Sequence, residues 1–461
     1  MKRALALVTC IFALRTAFPA DLVAVYQRAL QNDPQLREAE ANRLAALESK
    51  PQALSAMLPQ LTGSALASKE HDTGPSNLIE NVTVAGGPTV IESFPFDGQA
   101  ITHAHKFGVD LKQNIFRWEN WVALQRADAQ VAQAEADYQA AQQDLISRVA
   151  QRYFDVLAAQ DDQDAQEGAL ESVTRQLEQA EQRYAVGLIA ITDVQEARAS
   201  HDSSAAAVIA AKRQVASARE FLREITGDLF DSLARPIEPF ELTNPDPVSE
   251  DRWVEMALQQ NLSLVSSRLA ADIARENVSS ARGGHYPTLD LVASGYKVHT
   301  DENETNTDGT PYGSSTLDQR QRSIGIQLTF PLYSGGMVSS QVRQAVYQQR
   351  AAKERLERVA RQTEHDARDA YLGVISEINR VKALRRAVES NNTALNATQA
   401  GYEAGTRTAV DVLESRRQWI QARTDYSRSR YDYMMNVLKL QQAAGILSEQ
   451  SLNRLNSLLK E

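Results

Sequence analysis

The chain has 461 residues, of which 6% are aromatic and 23% charged, and its formal net charge at pH 7 is −10. Such a length would ordinarily suggest about three domains, but Ala, Gln, Glu and Arg are abundant and the 14 Pro are clustered, which favours long helices instead. The negative charge argues against a nucleic-acid partner.

The N-terminus has the features of a secretory signal peptide at residues 1–20. A positively charged end precedes a short apolar run from Ala4 to Leu14, and Ala20 is the expected cleavage residue. Cys10 is the only cysteine, so cleavage would leave a mature chain without disulfides. A lipoprotein anchor at Cys10 is a poorer alternative, because little apolar sequence precedes it. No later apolar run is long enough for a membrane-spanning helix.

The chain repeats itself at a distance of more than 200 residues. Ala29-Leu30-Gln31 recurs as Ala257-Leu258-Gln259, an offset of 257 − 29 = 228, and Gly227 recurs as Gly445, an offset of 445 − 227 = 218. Repetition of this length indicates two copies of one structural unit. The predicted organisation is a signal peptide at 1–20, repeat 1 at 21–227, a Pro-rich linker at 228–250, repeat 2 at 251–445 and a C-terminal tail at 446–461.

Each copy has the same predicted order: a helix, a strand, a polar loop, a second strand, a long helix, a bend and a returning helix. In repeat 1 the elements are Leu22–Met57, Leu58–Lys69, Glu70–Ala100, Thr102–Phe116, Trp118–Tyr184 and Asp193–Thr226. In repeat 2 they are Arg252–Arg282, Tyr286–His299, Thr300–Gln319, Gln321–Tyr333, Met337–Gln399 and Asp411–Ala444. The first long helix would reach ~100 Å, and its heptad seam of small and apolar residues is typical of coiled coils.

The predicted strands alternate apolar and polar residues. Ile324, Ile326 and Leu328 point one way, whereas Gly325 and Gln327 point the other. This period of two fits either a half-buried sheet or the wall of a transmembrane barrel. Because four strands cannot close a barrel, a membrane location would require at least two chains to share one.

Two matching stretches lie where each long helix meets its returning helix. The first runs from Arg183 to Arg198 and the second from Gly401 to Arg416. The residues matched at an offset of 402 − 184 = 218 include Tyr184 and Tyr402, Gly187 and Gly405, and Asp193 and Asp411. Each stretch is predicted to form a bend between two long helices.

At these bends the sequence resembles the TolC family of outer-membrane efflux channels, over essentially the whole mature chain. Two further stretches carry the resemblance: Phe330-Pro331-Leu332-Tyr333-Ser334-Gly335-Gly336 and Gly284-His285-Tyr286-Pro287-Thr288-Leu289-Asp290. The resemblance implies a mixed α/β membrane protein in the cell outer membrane that extends into the periplasm. It also implies a homotrimer, in which four strands per chain form a 12-stranded β-barrel continuous with a long periplasmic α-helical coiled-coil barrel.

The function implied by the resemblance is that of a passive exit duct. Such channels conduct small toxic compounds or secreted proteins outward, as part of a tripartite efflux pump or a type I secretion system. The implied partners are a periplasmic adaptor (membrane fusion) protein, an inner-membrane transporter of the RND, ABC or MFS type, and outer membrane lipid. The linker and the tail would lie in an equatorial region at mid-height of the helical tunnel.

The resemblance also implies roles for residues at the two bends. An iris-like periplasmic gate would be held by contacts of Thr192 and Asp193 with Tyr402 and Arg407. Asp411 and Glu414 match the positions of a pore constriction ring, at which multivalent cations could block the channel. The exposed tips that would contact the adaptor are Val186, Gly187, Leu188, Ala404, Gly405 and Thr406.

Simpler interpretations of these residues stay open. The two Tyr residues could pack within the hairpins, Arg407 could be a solvated charge, and Asp193 and Asp411 could be helix N-caps.

The alternative to a channel is a secreted or periplasmic structural coiled-coil protein without a pore, although such a rod has no use for strands with an outward apolar face. An enzyme is not expected, because the seven His are scattered and the sequence contains no phosphate-binding loop or His-Glu-x-x-His motif. We therefore predict no catalytic residues, no cofactor and no intrinsic metal site.

Overall fold

The computed structural model describes residues 19–83, 89–237, 240–306 and 308–460. The predicted signal peptide thus lies outside the described residues, apart from its last two positions. The helices are α1 Leu22–Asn32, α2 Pro34–Leu47, α3 Ser49–Ser55, α4 Trp118–Ala185, α5 Ile191–Thr226, α6 Glu250–Gln260, α7 Leu262–Gly283, α8 Met337–Glu403, α9 Ala409–Ala443 and α10 Glu449–Asn456. The strands are β1 Gln60–Thr83, β2 Thr89–Phe116, β3 Arg235–Pro236, β4 Thr288–Asn306, β5 Pro311–Thr329 and β6 Leu459–Lys460.

The long helices and the returning helices are confirmed, but the first helix of each repeat is interrupted. The predicted helix Leu22–Met57 breaks at Asp33, because Pro34 has no N–H to continue α1 and instead begins α2. The Asp33 carboxylate caps α2 by accepting a bond from the Leu36 N–H at 2.9 Å. In the second copy α6 ends before Asn261, whose side-chain oxygen accepts from the Leu264 N–H at 3.1 Å.

The chain folds into two compact units. One consists of the described parts of residues 1–46, 132–271 and 352–461, and we call it the helical unit. The other consists of residues 47–131 and 272–351, with the same restriction, and we call it the sheet unit. Each unit therefore takes segments from both halves of the sequence. Within the described residues, no helix has an apolar stretch long enough to cross a membrane.

The sheet unit contains an antiparallel sheet with the strand order β1-β2-β4-β5. Its strands overturn the predicted polar loops, since most of Glu70–Ala100 and of Thr300–Gln319 is strand. The β1–β2 ladder continues to the pair Thr83 and Thr89. The loop prediction was wrong because strand pairing is made by backbone groups, so a polar stretch can extend a ladder whose first part is already in register.

The two faces of this sheet differ in character. One face carries exposed apolar side chains, such as Leu61 at 71% and Ile324 at 78% exposure. The opposite face is polar and internally bonded, for example between the Ser294 and Ser323 hydroxyls, 2.7 Å apart. Alternation with one apolar face is therefore confirmed, and that apolar face is exposed in the single chain.

The core of the helical unit is built from α1, α4, α5, α8, α9 and α10. Tyr153 lies at its centre, with its hydroxyl 2.8 Å from the Ala234 carbonyl oxygen and 3.1 Å from that of Ala20. Strand β3 pairs with β6, and Leu452 of α10 is fully buried. The Pro-rich linker and the C-terminal tail are thus packed on the same core, rather than extending from it.

Candidate functional site

The first bend is closed by two backbone hydrogen bonds at the end of α4. The Leu188 N–H donates to the Arg183 carbonyl and the Gly187 N–H to the Tyr184 carbonyl, both at 2.9 Å. This is the Schellman arrangement, which requires a left-handed residue after the helix. Gly187 provides it with a φ of 76°, a conformation that is costly for residues with a Cβ.

The second bend repeats this backbone pattern at the end of α8. The Thr406 N–H donates to the Gly401 carbonyl at 2.8 Å and the Gly405 N–H to the Tyr402 carbonyl at 3.0 Å. Gly405 has a φ of 78°, close to that of its counterpart. The spacing that repeats within the sequence therefore corresponds to the same type of turn, formed once in each copy.

The helices that leave the two bends begin differently. The N-cap of α5 is Ala190, which has no side chain able to accept a hydrogen bond. The N-cap of α9 is Thr408, which forms a capping box with Asp411. In this box the Thr408 oxygen accepts from the Asp411 N–H at 3.2 Å and the carboxylate accepts from the Thr408 N–H at 2.9 Å. The N-cap interpretation of Asp193 and Asp411 was wrong, since both are the third residue of their helix.

The predicted adaptor tips are exposed at both bends, but their chemistry differs. In the first bend Val186 and Leu188 are 70% and 69% exposed. In the second bend the counterparts are the smaller Ala404 and the polar Thr406, whose hydroxyl donates to the Gly401 carbonyl at 3.0 Å. The first tip thus presents an apolar surface and the second a more polar one.

Among the four predicted gate residues, Tyr402 makes a contact that the resemblance did not imply. The Tyr402 hydroxyl lies 3.4 Å from Nη1 of Arg183, a residue that the sequence reasoning did not assign to the gate. Thr192 and Asp193 are exposed, and within the described chain neither hydrogen-bonds to Tyr402 or Arg407. Their contacts across the bends stay a prediction.

The two predicted ring acids lie one turn apart on α9, each with a local partner. Glu414 accepts from Arg417 at 2.8 Å and from the Gln418 amide at 3.0 Å, and these bonds lower the pKa of its carboxyl group. The pKa of Asp411 is also lowered, mainly by the Thr408 N–H and hydroxyl and in addition by the nearby Arg407. If the acids of several chains formed a ring, repulsion between their carboxylates would raise these pKa values. It would therefore oppose the effect of the local contacts.

A pair of arginines at equivalent positions was not singled out from the sequence. Arg198 donates to Glu181 at 2.9 Å and so links α5 to α4 beside the first bend. Its counterpart at the offset of 218 is Arg416, and the position that matches Glu181 is occupied by Gln399 rather than an acid. Burial lowers the pKa of Arg416, and its Nη1 has no hydrogen-bond partner among the described residues. The sequence signal that could have identified this pair is the match of Glu181 with Gln399, a position without an acid in the second copy.

The sequence profile of the outer membrane efflux protein family matches two segments of the chain, residues 25–228 and 253–446. The chain belongs to this family. It is located in the outer membrane, and the family's members are channels rather than enzymes, which removes the pore-free structural rod as an alternative.

Individual relatives agree with this assignment. The chain is 36% identical to outer membrane protein TolC of Vibrio cholerae over 441 residues, covering 95% of this chain and 94% of that protein. It is 28% identical to the alkaline protease secretion protein AprF of Pseudomonas aeruginosa, covering 95% and 86% respectively. The fold matches the crystal structure of the Campylobacter jejuni CmeC outer membrane channel with a TM-score of 0.72 at 19% identity, covering 95% of this chain and 89% of that one.

Proposed function

We propose that three copies of this chain form a passive exit duct of the outer membrane. The four-stranded sheet carries this proposal, because β1 and β5 each have one edge without a partner strand within the described chain. Unpaired strand edges cannot lie in lipid, so the sheet must be completed by other copies. Three copies give 3 × 4 = 12 strands, enough for a closed barrel. The helices of each copy would then extend it as a periplasmic coiled-coil tunnel.

The two-repeat organisation is part of this proposal. Two matched structural details support it: the helix breaks at Asp33 and Asn261 are 228 residues apart, and the left-handed Gly227 and Gly445 are 218 apart. We retain the boundaries 21–227 and 251–445 for the repeats. The packed segments 228–250 and 446–461 would form the equatorial region.

The duct would pass material handed over by an inner-membrane transporter through a periplasmic adaptor. The relatives include a TolC and a protein named for protease secretion, which supports roles in efflux and in type I secretion. Transporters of the RND, ABC or MFS type are the candidates. The adaptor would dock on the six tip residues, and the apolar Val186 and Leu188 would supply most of the buried area.

The gate and the constriction ring would both lie at the bends. We propose that contacts of Thr192 and Asp193 with Tyr402 and Arg407 hold the periplasmic mouth closed. Asp411 and Glu414, repeated three times, would make a ring of six carboxylates that favours cations and binds multivalent ones.

Mass measurement of the purified protein in detergent tests the assembly. We expect the mass of three chains and, after reconstitution into planar bilayers, discrete single-channel conductance. A folded monomer that retains the full strand content would contradict the shared barrel. A trimer that shows no conductance would support the proposed assembly and contradict the proposed function as a duct.

A further inference from the structure

The strand register arranges the apolar face of the sheet in rows of paired residues. One row consists of Leu61, Leu111, Ala293 and Ile324. The next rows on the same face lie about 7 Å and about 14 Å further along the strands, because every second residue shares a face. They consist of Gly63, Val109, Gly295 and Arg322, and of Ala65, Phe107, Lys297 and Arg320. The face therefore changes from apolar to cationic within two rows.

We call Lys297, Arg320 and Arg322 the cationic band. All three side chains are exposed. The carboxylates nearest to them on this face are Asp301 and Asp318, and both contact the ring of His299, at 3.1 and 3.0 Å.

These acids leave most of the positive charge of the band unbalanced. Lys297 approaches Asp318 only to 4.0 Å, and within the described residues neither arginine has an ion-pair partner. Two guanidinium groups and an ammonium group therefore remain available to an external anion.

The sheet leaves room beside these cations. Gly63 and Gly295 carry no side chain in the row of Arg322, and no atom lies within 4 Å of the place where a Cβ of Gly63 would be. An open depression of about 680 Å³ is lined by both glycines together with Phe107 and the three cations of the band. This space is large enough for a sugar-sized or phosphate-bearing group.

We propose that the cationic band binds the phosphate groups of a membrane lipid whose acyl chains lie on the apolar rows below it. Arginine is suited to this role because its planar donors match two phosphate oxygens at once. Continuity with the exposed apolar rows favours a lipid over a soluble anion, which would gain nothing from Phe107 or Ile324. The proposal rests on the proposed barrel, in which this face is turned toward lipid.

The test uses the assembled full-length protein in detergent and native mass spectrometry. The probes are a bis-phosphorylated, acylated glycolipid (lipid A), the same lipid without phosphates, and inorganic phosphate as competitor. We expect wild type to retain the phosphorylated lipid in preference to the dephosphorylated one. Removing one cation with Arg322→Gln should weaken retention about fivefold, and Lys297→Gln with Arg320→Gln and Arg322→Gln by at least about tenfold.

Lys106→Gln is the matched control, because Lys106 lies on the opposite face, with Nζ 4.5 Å from the centroid of the Tyr296 ring. It should leave lipid retention unchanged, and both variants of the cationic band should keep the conductance of wild type. Equal retention of the two lipids by a conducting trimer would overturn the lipid proposal alone. Displacement of the lipid by inorganic phosphate would also overturn it, in favour of a free-anion site. Failure of wild type to form a conducting trimer would overturn the duct and the lipid proposal together.

Discussion

The two bends share a backbone conformation but differ in their side chains. Comparing them separates the residues that form the turn from those that form a functional site. Both close with the same pair of hydrogen bonds around a left-handed glycine, Gly187 or Gly405. After the turn, α5 begins at an uncapped Ala190, whereas α9 begins with the capping box of Thr408 and Asp411. The turn is thus preserved in both copies, while an acid takes part in the helix cap only at the second bend.

A second difference lies one helical turn further on. Arg198 is neutralised by Glu181 beside the first bend, but Arg416 is partly buried and its Nη1 has no hydrogen-bond partner in the described part of the chain. Burial of a charge without a partner is costly, so the presence of Arg416 at this position is more consistent with a specific role than with packing. The two bends therefore differ in how their charged residues are held, while both carry residues proposed for the gate and the adaptor contact.

The largest effect is expected at the ring acids. Asp411→Asn with Glu414→Gln removes six charges from the proposed constriction while keeping the capping acceptor in place. We expect cation selectivity to fall and block by a multivalent cation from the periplasmic side to weaken by about tenfold or more. Reversal potentials under a salt gradient and block titrations in planar bilayers measure both.

The first bend provides the matched control for the ring, since Asp193 and Glu196 occupy the same two positions there. Asp193→Asn with Glu196→Gln should leave cation selectivity and multivalent block close to those of wild type, while the loss of the proposed gate residue Asp193 should raise single-channel conductance. If the two double variants behave alike, the bends are equivalent and the ring does not lie in the second one.

The gate should show the next largest effect. Tyr402→Phe with Arg407→Ser is expected to raise single-channel conductance, because it removes contacts that hold the gate closed. Each lost contact contributes about 1 kcal/mol at most, but the trimer contains three copies of it. The counterpart variant at the first bend is Tyr184→Phe with Ile189→Ser. Ile189 occupies the position that Arg407 has in the second copy, so this variant removes no arginine and should leave conductance unchanged.

Arg183 refines the gate experiment, because it is the observed partner of Tyr402. If Arg183→Gln alone reproduces the rise, the Arg183–Tyr402 contact holds the mouth rather than the contacts with Thr192 and Asp193. Unchanged conductance in the Tyr402 and Arg407 double variant would remove both residues from the gate.

The capping difference should have a smaller, local effect. Thr408→Ala removes the hydroxyl that caps α9 and should cost about 1 kcal/mol of helix stability, whereas Ala190→Thr should stabilise the start of α5 by a similar amount. Hydrogen exchange of peptides from the first turns of α5 and α9 should change about fivefold in opposite directions. Equal protection of the two turns in wild type would show that the capping box is not formed in solution.

Most of the helical architecture could be predicted, because it depends on local signals. The long helices lack Pro and follow a heptad pattern, and the glycines that end them recur at one offset, so both bends were placed correctly. The helix breaks at Asp33 and Asn261 were missed, although Asp followed by Pro34 is a recognisable cap in the first copy.

The long strands and the contacts of the bends could not be predicted in the same way. The polar stretches 70–83 and 311–319 show no apolar alternation, and their strand state depends on pairing in a ladder that extends many residues further along the strands. The partner of Tyr402 depends on how two helices approach each other, so a repeat comparison could not distinguish Arg183 from Asp193. The cationic band was hidden for a related reason, because the register between strands had to be known before its residues could be placed together.

The smallest expected effect is the pH dependence of the α9 cap. The pKa of Asp411 in the folded chain lies below its usual value of 3.8, chiefly because its carboxylate accepts bonds from Thr408. A carboxyl group with a lowered folded pKa stabilises the fold above its unfolded pKa and loses this contribution as the pH falls through the folded value.

We therefore expect wild type to protect the first turn of α9 better than Asp411→Asn at pH 6, and the two to converge well below pH 3.8, where a protonated Asp resembles Asn. Hydrogen exchange corrected for the intrinsic pH dependence measures this, with the first turn of α5 in the same digest as the internal control. A difference between wild type and Asp411→Asn that persists in acid would mean that shape rather than charge makes the second bend distinct.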